Sequence, residues 1–199
     1  LNKVKEMFKD YIIILVLSGN FTQSGDASII NKWEKTKIAL KYGIDLVIEL
    51  PYAFATQSAD LFARGSIEIL NHLRVDNLVF GSESNDINTL VKLADIQINN
   101  KEYENMIKKY IDEGVSYPTA SLKALYDISG IKITTPNDIL GISYIREIKK
   151  LKSNIKPHCI KRTNNYHSTE LDSDIVSATG IRKALKDNID VKRFVPAHS

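Results

Sequence analysis

Residues 44–83 read IDLVIELPYAFATQSADLFARGSIEILNHLRVDNLVFGSE, and the fold is decided there. IDLVIEL (44–50) is short, apolar and rich in β-branched residues, and Pro51 ends it. VDNLVF (75–80) has the same character and runs out at Gly81-Ser82-Glu83. Between them, residues 58–73 carry apolar side chains at helical spacing, with Ser58 or Asp60 suited to the first turn. Two strands joined by a helix of that length form a βαβ crossover, which requires a parallel pairing.

Working outward, YIIILVL (11–17) is a continuous apolar run bounded by Ser18-Gly19-Asn20, and it reads as a strand buried on both faces. The loop FTQSGDAS (21–28) follows, then a helix over 29–42 stopped by Gly43. Leu1, Val4 and Phe8 mark an amphipathic helix at the start. Downstream, residues 86–130 read as mostly helical and charged, an insertion expected to pack at the sheet edge. A helix from Asn137 to about residue 151 comes next, then a fourth strand at 156–162 (KPHCIKR), and a loop followed by a helix over 174–186. The fold class is therefore α/β: a Rossmann-like parallel sheet with flanking helices and a mostly helical insertion, all within one domain, 1–199. Ligands of such sheets sit beyond the carboxyl ends of the strands. That directs attention to three loops, at 18–21, 49–52 and 81–84.

Composition narrows the class further. With 43% hydrophobic and 26% charged residues the chain has ordinary globular chemistry and can bury a core without disulfides. The single cysteine, Cys159, has no partner in the chain and reads as a packed small residue, which fits a reducing cytoplasm. No apolar run approaches the ~18 residues that a membrane helix needs, and no basic segment precedes an apolar stretch as in a signal peptide. Charge is uneven: residues 1–140 hold 15 basic against 18 acidic side chains, and residues 141–199 hold 12 against 6. The basic excess at Arg146, Lys149, Lys150, Lys152, Lys156, Lys161 and Arg162 suits phosphates of a nucleotide or of RNA, and equally a solvated lysine-rich face.

Several short motifs bear on chemistry. In Ser177-Ala178-Thr179-Gly180-Ile181-Arg182, a hydroxyl residue precedes an amphipathic helix whose free amides attract anions. Arg182, one turn in, suits a phosphate clamp, and a plain cap with a surface arginine explains the pattern as well. Asn137 reads as a helix cap or as a polar handle for a base or ribose. Gly81, at a strand end, allows a flat ligand close to the backbone, or simply makes a turn. Arg162, Tyr166 and His167 form a polar-aromatic group after the fourth strand. The four histidines and Cys159 lack zinc-ligand spacing, so no metal site is expected from protein ligands. Walker, Gly-x-Gly-x-x-Gly and nucleophile-elbow patterns are missing from the sequence.

The order of these motifs carries more than any one of them. The segment SGNFTQSGDASIINKWEKTKIALKYGIDLVIELPYAFATQSADLFARGSIEIL (18–70), followed by FGSE (80–83), TPNDILGISY (135–144), IKRTNNYH (160–167) and SATGIRKAL (177–185), resembles the tRNA(Met) cytidine acetate ligase family. The resemblance implies a nucleotidyltransferase-like, ATP-dependent ligase. Such an enzyme forms acetyl-adenylate from acetate and ATP, with Mg²⁺, and passes the acetyl group to N4 of the wobble cytidine of elongator tRNA(Met). It implies ATP contacts at Gly81, Asn137 and Arg162 and phosphate contacts at Ser177, Thr179 and Arg182. It also implies an acetate and α-phosphate loop at Ser18, Gly19 and Gln23, and tRNA contact by Lys149, Lys150, Lys152 and Lys156. Two rival readings stand beside it: a nucleotidyltransferase adenylating another small substrate, and a non-catalytic nucleotide- or RNA-binding remnant.

The sequence departs from the family pattern in three places. The family opens with a short strand running into a His-x-Gly-His loop that grips the ATP phosphates, and this sequence has no such histidines. Its C-terminal helical region is not matched, and Ser24 stands where a basic residue is expected. On that ground the 199-residue chain by itself is expected to have little or no ligase activity.

Overall fold

The computed structural model describes residues 1–162 and 178–195. In chain order the elements are α1 (Asn2–Met7), β1 (Ile14–Ser18), α2 (Lys32–Lys41), β2 (Leu46–Leu50), α3 (Tyr52–Ala55), α4 (Ala59–His72), β3 (Asn77–Ser82), α5 (Ile87–Asn99), α6 (Lys101–Asp112), α7 (Tyr117–Ser129), α8 (Pro136–Lys150), β4 (Lys156–Lys161) and α9 (Ala178–Lys186). A 3₁₀ turn, Lys192–Phe194, follows. Among the described residues no helix is long and apolar enough to cross a membrane.

The α/β reading holds, with parallel strands as the crossovers require. β1 pairs with β2 in register from Ile14↔Leu46 to Ser18↔Leu50, and β3 pairs with β4 from Asn77↔Lys156 to Ser82↔Lys161. Among the described residues these are two separate two-stranded pairs. This corrects one expectation. The first strand is not buried on both faces: all of Ile14–Ser18 is half-buried. Tyr11 and Ile12 lie outside the strand, 40% and 78% exposed. Among the described residues β1 has a neighbour along one edge only, so its flanks are less covered than an inner strand's. The pairs are linked instead through side chains. Ile67 and Leu70 of α4, Ile148 of α8 and Ile155 form a buried cluster on which Ile14 and Val16 of β1 pack together with Leu78 of β3.

The larger core lies among the helices. Leu90, Leu93 and Ala94 of α5, Tyr103 and Ile107 of α6, Ala120, Ala124 and Leu125 of α7, and Ile142 and Ile145 of α8 are all buried together, with Phe80 of β3 against them. The helix limits have local causes. The Asn31 side chain accepts from Glu34 N at 3.0 Å and starts α2. Asp86 accepts from the Thr89 amide at 3.1 Å and starts α5. Gly130, at φ 71°, takes the left-handed turn that ends α7. The short α3, packed on α4 through Phe54 against Gly65, was not anticipated from sequence.

Gly141 marks where α8 sits tightest on the sheet. A Cβ there would stand 2.5 Å from Phe80 Cε2 and 3.1 Å from Cζ. Gly141→Ala is therefore expected to destabilise the protein by about 1–3 kcal/mol, the usual range for overpacking. Urea unfolding checks this, and adding Phe80→Leu should recover part of the loss. Equal losses with and without the Phe80 change would place the strain elsewhere.

Candidate functional site

The carboxyl end of β3 carries Gly81-Ser82-Glu83-Ser84, and β4 beside it carries Lys161 and Arg162. The amino end of α8, Thr135-Pro136-Asn137-Asp138, closes the third side. Pro136 occupies the first turn, where no amide donor is needed. Asp138, 2% exposed, is the hub. Its carboxylate accepts from Ser82 Oγ at 2.5 Å, Ser84 N at 3.0 Å and Thr135 Oγ1 at 2.7 Å. A carboxylate among the first amides of a helix is also favoured by the helix dipole. Ser82 Oγ in turn accepts from Asn85 N at 2.8 Å.

Glu83 makes the second set of links. Its carboxylate accepts from Asn137 Nδ2 at 2.5 Å and from Asp138 N at 3.1 Å, and its backbone carbonyl accepts from Lys161 Nζ at 2.5 Å. Arg162 N donates to Ser82 O at 2.9 Å, extending the β3–β4 ladder one step. The Arg162 side chain lies over Gly81: a Cβ on Gly81 would stand 3.1 Å from its Cγ and 3.3 Å from its Cδ. Gly81 is thus required for close approach. Among the described residues Arg162 Nε is buried without a hydrogen-bond partner. A shielded donor beside a bare glycine floor suits an anionic or planar ligand.

The loop after β1 forms a second group. Lys35 Nζ donates to Ser18 O at 2.8 Å and to Ser28 Oγ at 3.0 Å, and also to Gly19 O. Burial lowers the Lys35 pKa from its ordinary value, against an opposing pull from Glu49. The Glu49 carboxylate abuts Gly19 and pairs with Lys32 at 2.6 Å. Gln23 Nε2 reaches Gln57 O at 3.2 Å, and Ser24 is held in its own turn by Asp26 at 2.8 Å.

The expected site residues therefore separate into three groups. Gly81, Asn137 and Arg162 are joined through residues 82 and 83. Ser18, Gly19 and Gln23 lie at the β1 loop. Lys149 and Lys150 are engaged by Asp95 at 2.7 Å and Glu147 at 3.3 Å. Lys152 and Lys156 are exposed, and Lys156 starts β4, roughly 20 Å along the strand from Arg162. Ser177, with Tyr166 and His167, lies outside the described residues, as does the Thr179 side chain. Arg182 is exposed on α9. Sequence reasoning missed Glu83, Asp138 and Lys35. The Thr135-x-x-Asp138 spacing is a capping-box signal that would have found one of them.

Comparisons with known proteins add to this geometry. The profile of the HIGH nucleotidyl transferase family matches residues 1–199. The chain is 43% identical over 197 residues to the tRNA(Met) cytidine acetate ligase of Mesomycoplasma hyopneumoniae strain J, covering 98% of this chain and 62% of that protein. It is 45% identical over 192 residues to the protein of the same name from Fusobacterium nucleatum subsp. nucleatum, covering 96% and 47%. Among solved structures, apo Thermotoga maritima TmcAL (form I) superposes with a TM-score of 0.92 at 35% identity, over 99% of this chain and 50% of that one. The same protein bound with alpha-thio ATP (form II) gives 0.89 at 35% identity, over 99% and 49%. The chain thus spans about half to two thirds of the length of the relatives it matches.

Proposed function

The chain belongs to the HIGH nucleotidyl transferase family, and from that premise we propose that it carries the ATP site of a tRNA(Met) cytidine acetate ligase of the cytoplasm. The observation that supports this most is the grouping of Gly81, Asn137 and Arg162 at the carboxyl ends of β3 and β4, a shielded guanidinium nitrogen among them.

In this reading an acetate oxygen attacks the α-phosphorus of ATP, the bond to the β-phosphate oxygen breaks, and pyrophosphate leaves with the electron pair. The N4 amine of the wobble cytidine of elongator tRNA(Met) then attacks the acetyl carbonyl. AMP leaves and the amine loses a proton. Arg162 offsets charge on the phosphates, Asn137 holds the base or ribose, and Gly81 admits the nucleotide to the backbone. Ser177, Thr179 and Arg182 are proposed phosphate contacts. Ser18, Gly19 and Gln23 are proposed to border acetate, with Lys35 fixing the first two carbonyls.

Mg²⁺ would lower the charge repulsion between acetate and triphosphate. Among the described residues no three His, Cys, Asp or Glu side chains gather as ligands. The carboxylates of Glu83 and Asp138 are taken up by hydrogen bonds, so phosphate oxygens and water would complete the cation's shell. For tRNA, Lys152 and Lys156 suit backbone contact best, since Lys149 and Lys150 are paired.

Acetate-dependent exchange of labelled pyrophosphate into ATP, measured on the gene product, tests the reading. Exchange with acetate is expected. Exchange with another small acid and not with acetate would turn the reading to a different nucleotidyltransferase. ATP binding without exchange would leave a nucleotide-binding remnant.

A further inference from the structure

We propose that Glu83 is a positioning residue: it sets which way the Asn137 amide faces, and so makes the site select ligands that present a hydrogen-bond donor to Asn137. This rests on the nucleotide-site reading above.

An asparagine amide has two ends of opposite character, a carbonyl that accepts and an NH₂ that donates. A carboxylate only accepts. With Glu83 Oε1 at 2.5 Å, the end of Asn137 that faces it must be the NH₂. Glu83 is itself held, because its other oxygen accepts from Asp138 N at 3.1 Å, and its carbonyl is tied to Lys161 Nζ at 2.5 Å. The carboxylate therefore cannot turn away without giving up the first-turn amide of α8. The consequence falls on the opposite end of Asn137. Among the described residues its Oδ1 accepts no hydrogen bond, and Asn137 is half-buried in the first turn of α8, beside the end of β3. A half-buried carbonyl of fixed direction rewards an N–H or O–H on the ligand and penalises a group that only accepts. The exocyclic amine of adenine and the ribose hydroxyls both supply such a donor.

The test is calorimetric titration of the wild-type gene product, Glu83→Gln and Glu83→Ala with four probes: ATP, purine riboside triphosphate, 2′-deoxy-ATP and 3′-deoxy-ATP. In the wild type, the analogue lacking the donor that meets Asn137 should bind at least about tenfold more weakly than ATP. Which analogue it is identifies the ligand group. A glutamine at 83 has the size of glutamate but offers an acceptor or a donor, so Asn137 can face either way. In both variants the ratio should fall to within about threefold. A residue that merely braces the fold would weaken all four probes alike and leave the ratio intact. An unchanged ratio in Glu83→Gln, or a wild type that does not discriminate among the probes, overturns the proposal. A wild type that binds no ATP removes the nucleotide-site reading along with it.

Discussion

Arg146→Ala is expected to destabilise the protein by about 3 kcal/mol, lowering the melting temperature by on the order of 10 °C for a chain of this size. The guanidinium is 9% exposed and meets Asp60 at 2.8 Å and Glu147 at 3.3 Å, with Gln97 Oε1 3.3 Å from its Nη1. Burial works to lower its pKa, and the two carboxylates more than reverse that. Removing it would leave the Glu147 carboxylate, 11% exposed, with Lys150 at 3.3 Å as its one remaining paired cation among the described residues. Asp60 is 35% exposed and partly rescued by water, which keeps the estimate at the low end of the range for buried pairs. Lys149→Ala, which breaks only a surface pair with Asp95, should cost less than about 1 kcal/mol. Thermal unfolding of the two variants side by side decides the matter. Equal losses would mean that Arg146 contributes as ordinary surface charge.

Arg162→Ala should act in the opposite way, weakening ATP binding by about 10–100-fold with little change in stability. A charge-assisted bond to a ligand contributes about 1.5–3 kcal/mol. The Arg162 Nε has no protein partner among the described residues, so its removal strands no group hydrogen-bonded to that nitrogen among them. Arg162→Lys should recover only part of the affinity, because a lysine ammonium lacks the planar fork. Calorimetry with ATP, beside a melting curve, gives both quantities. An Arg162→Ala protein that binds ATP like the wild type would take Arg162 out of the site.

The strands and main helices were legible because their patterns are strong. The runs YIIILVL, IDLVIEL and VDNLVF each yield a strand, shifted by one to three residues. The shifts have local reasons. Asp45 Oδ2 accepts from Ile13 N at 2.7 Å and takes residues 11–13 out of the strand. Val75 packs on the smaller core, and β3 begins two residues later. The site was half legible. Gly81, Asn137 and Arg162 could be named, but that β3 and β4 are neighbours depends on tertiary order, and so does the placing of Glu83 against Asn137. The pairing within the basic run at 146–156 was hidden for the same reason. Lysine spacing along α8 gives no sign that Asp95 of α5, Asp60 of α4 and Glu147 stand ready to pair with it.

The pairing of β3 with β4 also governs the order in which the molecule assembles. Asn77 and His158, which meet at 2.9 Å in that pairing, are 81 residues apart along the chain. Bringing such ends together costs about 4 kcal/mol of chain entropy before any contact is gained. The contacts between α6 and α7 are far more local: Tyr103 and Ser121 are 18 residues apart. On loop-closure cost alone, the α6–α7 pair is expected to form early and the two strands to close late in folding. Gly81 and Arg162 stand at the very end of that pairing, so the candidate site is expected to form late. A nucleotide bound there would act as a latch on the long loop, favouring the closed chain more as its concentration rises above its dissociation constant.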